Sequence, residues 1–328
     1  MYKQKNGNYF SRRVQNFLLS AVLFFASLSF FYAQENDADY RKLLEIDYYQ
    51  GDMTEAYRLL AVLEKKYPEN GYILAEKGAW QMFGENDLNL ALITLSKAAK
   101  LLPENDNILT LRGTAFYRKG LLQKAVEDQK AAIAINPKPI QFYIKLGGYY
   151  YELKDYQTAL DTFLQGVEKN PSQAEIYGEA FAAYAMLSDT NGASRLFDKG
   201  LKEKNIDTGF LRCYYGNFFM RLKMYREASE QYQIAYNVPE PHMYGEDYNN
   251  AAISFMKIGQ LDKAMSFINL AVKREPKVAD YLNNKADIAM TMKDYDTVID
   301  AASKAISVDE KNALAHMYMA IGYKWGRN

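Results

Sequence analysis

Cys213 is the one thiol in this chain, and His242 and His316 are its only imidazoles. A lone thiol excludes an intramolecular disulfide and a thiolate metal site, and two histidines leave little for an imidazole site. With no histidine near it in sequence, Cys213 reads as packing rather than as a nucleophile, and His242, between prolines, as a loop residue. Glu104-Asn105-Asp106-Asn107 offers oxygen ligands but lacks the glycine and closing glutamate of a calcium loop, so it reads as a helix cap. No acid, base and nucleophile set emerges. The expectation is a non-enzyme with no catalytic residue, no metal and no cofactor. What the chain does hold in quantity is 28 Tyr and 13 Met, side chains suited to recognition: tyrosine offers a flat ring with a hydroxyl, methionine an adaptable apolar surface.

The elements that must position those side chains appear on self-comparison. Alanines at 56, 91, 125, 159, 193, 228 and 264 recur at steps of 35, 34, 34, 34, 35 and 36 residues, and Val298 follows 34 later. A period near 34 means stacked supersecondary units. About twelve residues before these positions stands a small residue in most units (Gly78, Gly113, Gly147, Gly216, Ala252, Ala286), which permits close helix contact. Four residues after comes a bulky one (Leu95, Phe163, Phe197, Tyr232, Ile268), and three further a small one (Ala98, Ala132, Gly166, Ala235, Ala271, Ala305), which is one apolar helix face. Pro68, Pro103, Pro137, Pro171 and Pro276 follow, and proline disfavours helical geometry in the residue before it. Each unit therefore reads helix, turn, helix, break, with no strand pattern, and the expected class is all-α.

This pattern resembles the tetratricopeptide repeat family, most clearly from Tyr143-Ile-Lys-Leu-Gly-Gly-Tyr-Tyr-Tyr-Glu-Leu-Lys-Asp-Tyr-Gln-Thr-Ala to Pro171. The resemblance covers 37–312 as eight units starting near 37, 71, 106, 140, 174, 209, 245 and 279, followed by a C-terminal capping helix in 313–328. Two units depart from it: Phe181 and Asn205 replace glycine and proline in the fifth, Val298 and Glu310 replace alanine and proline in the eighth. The resemblance implies an α-solenoid, a right-handed superhelix of helix-turn-helix units whose first helices line a concave groove that takes peptides or whole proteins.

In that register one inner line carries Tyr48, Met82, Tyr117, Tyr151, Ala185, Met220, Met256 and Met290. One reading is an adaptable apolar track; the other is a stripe partly covered by the neighbouring helix. Asn217, Asn249 and Asn283 flank it in the later units, beside Asn250, Asn284 and Asp287, and an amide can both donate to and accept from an extended peptide. On the unpaired last helix Leu314, Met317, Ile321 and Trp325 share a side. The candidate partner-binding residues are thus Tyr117, Tyr151, Asn217, Met220, Asn249, Met256, Asn283, Met290, Met317 and Trp325. The Lys and Asn pair with which some relatives clamp a C-terminal carboxylate is not apparent, since Arg41 is followed by Glu45 and Thr110 by Thr114. The tyrosines keep a second reading open, a carbohydrate-binding or polysaccharide-export helper.

Charge and composition narrow the partner. Charged residues make up 24 % and hydrophobic ones 49 %, a globular balance. Basic and acidic residues number 40 each, but Lys3, Lys5, Arg12 and Arg13 precede residue 34, leaving 36 against 40, or −4, for the rest. With no basic block, nucleic acid is not the expected ligand. The four charges precede the apolar run Phe17 to Phe31, and Ala33 offers a cleavage site, which is signal-peptide architecture over 1–33. Fifteen apolar residues reach only about 22 Å as a helix against a hydrocarbon core of about 30 Å; contact with membrane is expected only if this segment stays uncleaved as an anchor. The expected location is the periplasm or cell surface of a Gram-negative-type envelope. N-terminal sequencing of protein from cells is expected to read from Gln34 or close to it, and intact Met1 on soluble cytoplasmic protein would contradict export.

Overall fold

Helix ends in this chain are set by proline on one side and Asx caps on the other. A computed structural model describes residues 53–239 and 242–326. The described residues form sixteen α-helices and no strand. In chain order they are α1 (Met53–Lys66), α2 (Gly71–Phe83), α3 (Leu88–Leu101), α4 (Asp106–Arg118), α5 (Leu122–Ile135), α6 (Ile140–Glu152), α7 (Tyr156–Lys169) and α8 (Ala174–Leu187). They continue as α9 (Thr190–Gly200), α10 (Thr208–Arg221), α11 (Tyr225–Tyr236), α12 (Gly245–Lys257), α13 (Leu261–Arg274), α14 (Ala279–Met292), α15 (Tyr295–Val308) and α16 (Ala313–Trp325). Even-numbered helices are the first of each pair, odd-numbered ones the second. The signal segment, Tyr48 and the first helix of the unit starting near 37 lie outside the described residues.

Two residues before Pro68, Pro103, Pro137, Pro171 and Pro276, α1, α3, α5, α7 and α13 stop. Starts are capped by side-chain oxygens: Asn70 accepts from the Tyr72 and Ile73 amides at 2.9 and 3.2 Å, and Asn105, in the acidic run, accepts from Ile108 N at 3.0 Å. Within pairs the turn needs a left-handed residue. Gly120 and Gly259 supply it at φ 78° and 79°, but elsewhere Lys154, Ser188, Lys223 and Lys293 take the same conformation at 56–63°. Where the eighth unit lacks proline, α15 ends at Asp309, whose carboxylate accepts from Lys311 N, and Asn312 caps α16.

The helices fall into two compact units that part within α6 after Tyr149. In the first, α2 packs on α3 and α4 on α5, with α3 laid against α4. Its core gathers Leu74, Met82, Leu95, Ile108, Ala115 and Phe142. In the second, α7 packs on α8, and α10 to α16 pack each on the next. The repeating alanines are the closest contacts: Ala91, Ala125, Ala159, Ala193, Ala228, Ala264 and Val298 have no exposed surface. Facing them, Gly113 lies where a Cβ would meet Ala125 O at 3.3 Å, and Gly216 where it would meet the Tyr232 ring at 2.9 Å. The bulky residues one turn on, Leu95, Phe163, Tyr232 and Ile268, are sealed in the core, each contributing about 1.5–3 kcal/mol.

The fifth unit solves the same packing differently. Phe181, in the glycine slot, is fully buried, with its ring 5.2 Å from Tyr215 and 6.3 Å from Phe218. Its glycine has moved to Gly178, where a Cβ would stand 2.6 Å from the Tyr214 ring. As a result α8 packs more closely on α10 than on its own partner α9. The second helix is correspondingly short, 11 residues, and Asn205 turns the chain with φ 67° in place of proline.

Ala159→Leu or Ala228→Leu forces three carbons into contacts with no free space and is expected to cost roughly 1–3 kcal/mol. Urea midpoints unchanged by both substitutions would contradict this packing.

Candidate functional site

The apolar track is only partly open. In the first compact unit Met82 is fully buried, which removes it from the surface line expected for it: Arg118 lies over the end of α2, donating to Met82 O and to Asn86 Oδ1 and stacking on Phe83 at 5.3 Å. Tyr117 on α4 is half-buried and stacks on Tyr149 at 5.1 Å. In the second unit Tyr151 meets Tyr156 edge-on at 5.1 Å, and burial pushes its hydroxyl pKa up against the lowering field of Arg221. Ala185 is buried. Met220, Met256 and Met290 are half-buried at one helical position of α10, α12 and α14, and Met290 rests on the cluster of Ala286, Ala289, Val298 and Tyr318.

The last helix divides its apolar residues. Leu314 packs inward on the same cluster, while Met317 is 46 % and Trp325 51 % exposed. Trp325 therefore does not cover the end of the stack; Lys324 lies over its ring at 5.2 Å.

The asparagines are brought together by tertiary packing into an amide chain across four first helices. Asn250 Nδ2 donates to Asn217 Oδ1 at 2.9 Å, Asn284 Nδ2 to Asn249 Oδ1 at 2.7 Å, and Asn283 Nδ2 to Asn312 Oδ1 at 3.4 Å. Asn217 Oδ1 also accepts the Tyr232 hydroxyl at 2.6 Å. Buried amides need such partners; Asn249 and Asn283 are 8 % and 6 % exposed. Asn283 Oδ1 remains without a hydrogen bond. Because Asn249 and Met256, and Asn283 and Met290, are two helical turns apart, amides and methionines share one face of α12 and α14.

Sequence reasoning missed a polar cluster between α4 and α6. Thr114 Oγ1 donates to Thr110 O at 2.8 Å and accepts from Lys145 Nζ at 3.2 Å and from the Tyr149 hydroxyl. Beneath them Arg112 grips Asp128 at two points, Nε to Oδ2 at 2.8 Å and Nη2 to Oδ1 at 2.6 Å. That hydrogen bond holds the Arg112 guanidinium pKa above its ordinary value. Burial pushes Lys145 down to about 8. The signal was available: Thr114 and Lys145 are 31 residues apart, close to the repeat period, so they belong to neighbouring first helices.

Cys213 is buried on α10. His242 is exposed in the loop before α12, its Nδ1 2.6 Å from Asp207 Oδ2 and its ring 5.8 Å from Phe210. Among the described residues no group of three His, Cys, Asp or Glu side chains stands within reach of a common metal ion. No helix of the described residues is long and apolar enough to cross a membrane.

Lys145 also makes a stability prediction. Folded, it titrates near 8 against an ordinary 10.5, so between those values the unfolded chain binds more protons and stability rises with pH. Urea midpoints from pH 7.5 to 9.5 are expected to rise for wild type relative to Lys145→Met, and parallel profiles would contradict the burial of this charge.

Comparison with known proteins agrees with this geometry. Residues 279–312 match the family model described as tetratricopeptide repeat. The chain is 23 % identical over 286 residues to TPR repeat-containing protein YpiA of Bacillus subtilis, covering 83 % of this chain and 64 % of that protein. It is 22 % identical over 254 residues to Hsp70-Hsp90 organizing protein 3 of Arabidopsis thaliana, covering 73 % and 43 %. It thus spans less than two thirds of either relative. Yeast Tom70 superposes with a TM-score of 0.64 at 14 % identity over 97 % of this chain and 71 % of that one, a likeness of fold alone. With helix-turn-helix pairs recurring every 34 residues or so around sealed alanines, and a family match on one of those pairs, this chain is a tetratricopeptide repeat protein.

Proposed function

We propose that this chain is a non-enzymatic scaffold that holds a protein or peptide partner on its first-helix surface, with most of the affinity in the C-terminal units. The observation that carries the reading is the strip on α10, α12 and α14, where half-buried Met220, Met256 and Met290 run beside amides that bond one another across helices. Methionine repacks around varied shapes, and amides already held in place lose little entropy when a peptide adds its own hydrogen bonds. On α16 the strip is followed by exposed Met317 and Trp325, apolar surface of the kind that marks a contact. Among relatives, an Hsp70-Hsp90 organizing protein carries protein partners in its name, which supports a protein ligand in kind without naming one.

A protein is preferred over a glycan because the rings a sugar would stack on are engaged, Tyr117 with Tyr149 and Tyr151 with Tyr156. The proposal places the scaffold outside the cytoplasm, in the periplasm or at the cell surface, on the strength of the charged and apolar pattern of residues 1–33.

Crosslinked purification from intact cells is expected to recover a defined protein partner. Changing Met220, Met256 and Met290 together to serine is expected to weaken its capture at least roughly tenfold, about 1.4 kcal/mol, with circular dichroism showing the helices intact. Undiminished capture by the folded triple variant, with loss on changing Tyr117, would move the binding surface to the N-terminal units.

A further inference from the structure

The first compact unit holds a cation that its surroundings do not neutralise. Lys145 sits on α6, half-buried, and among the described residues the hydrogen-bond partner of its ammonium is the neutral hydroxyl of Thr114. An ammonium carries three donors, so two remain. Thr114 is saturated: its proton goes to Thr110 O, and its lone pairs receive Lys145 and Tyr149. The nearby carboxylate of Asp128 is occupied on both oxygens by Arg112. Arg118, at the end of α4, is likewise committed to Met82 O and Asn86. One free positive charge is thus left in crowded, partly desolvated space, and its depressed pKa is the sign that no anion offsets the burial. Tyr117 and Tyr149, stacked on each other, flank it with aromatic surface.

We infer that Lys145, seated on Thr114 and flanked by Tyr117, is a subsite for a single side-chain carboxylate of an acidic peptide segment, which would make the partner proposed above a protein presenting aspartate or glutamate at this point. This rests on the reading of the chain as a peptide-holding scaffold and adds the chemistry of one contact. A carboxylate matches the site because one monovalent cation faces one monovalent anion, whereas phosphate sites gather several Lys and Arg side chains or a free guanidinium fork. Both forks here are committed. The aromatic flank suits the methylene stem of such a side chain.

Acylation of lysines by an amine-reactive reagent, mapped by mass spectrometry on the full chain, tests the subsite with three probes. They are an N-acetylated, C-amidated tetraglutamate, an N-acetylated tetraglutamine with a free C-terminus, and inorganic phosphate. Pairing with a carboxylate raises the lysine pKa, and a one-unit rise lowers the reactive free amine about tenfold near neutral pH. The tetraglutamate is therefore expected to slow labelling of Lys145 about tenfold while exposed Lys154 is unaffected, and the folded Lys145→Gln variant is expected to bind it more weakly than Lys145→Arg does. Unchanged labelling of Lys145 overturns the inference, as does equal protection by tetraglutamine or phosphate, or equal binding by the Gln and Arg variants. The scaffold reading is judged separately, by capture from cells. Capture without protection by tetraglutamate defeats the subsite alone, and protection without any captured partner supports the subsite while defeating the scaffold.

Discussion

Helix pairs can repeat along a chain only if each crossing is close enough to bury both faces, and here that closeness is set by single alanines with no exposed surface at Ala91, Ala125, Ala159, Ala193, Ala228 and Ala264. A methyl group keeps helix axes near enough for the bulky residue one turn on, such as Phe163 or Tyr232, to reach the next helix. A larger side chain would hold the pair apart and leave voids, which protein interiors do not tolerate. Val298 shows the limit, a branched residue accepted in the eighth unit and sealed as completely. No unit closes a core of its own, so stability is shared between neighbours.

Because the second helices and the crossings absorb the large apolar residues, the first-helix surface is free to carry polar chemistry. It does so in two different ways. On α10, α12, α14 and α16 neutral amides pair across helices, which satisfies them without charge and orders a strip of methionine beside them. On α4 and α6 the polar groups include charges. Arg112 and Asp128 cancel, while Lys145 is left with a hydroxyl. The first arrangement suits broad apolar contact with backbone recognition, the second a single electrostatic point of specificity, since charges in crowded sites discriminate more strongly than they bind.

The fifth unit shows how far the pattern can bend. With Phe181 where glycine belongs, the close contact passes to Gly178 and Tyr214, and aromatic rings fill the space between α8 and α10, including Tyr215 stacked on Phe197 at 4.2 Å. The shorter second helix and the left-handed Asn205 follow from that shift of packing partner.

The all-α class was legible in the sequence itself because periodicity and helix breaking are local. A buried alanine every 34 residues or so and a proline two residues past a helix end are visible without knowing what touches what. So was the absence of a catalytic set, since the residue types are few enough to count. Tertiary structure decided which side chains on the expected line meet solvent. Met82 and Tyr117 hold equivalent slots, yet Met82 is sealed beneath Arg118, a residue 36 positions on. The asparagines read as unattached peptide grips until packing set them 33 to 35 residues apart in contact with one another. Lys145 and Thr114 drew no notice, because a lysine in a helix looks solvated until its neighbours are known. Burial, pairing and pKa are properties of the whole environment of a side chain, and in a stacked repeat that environment comes from the units before and after it.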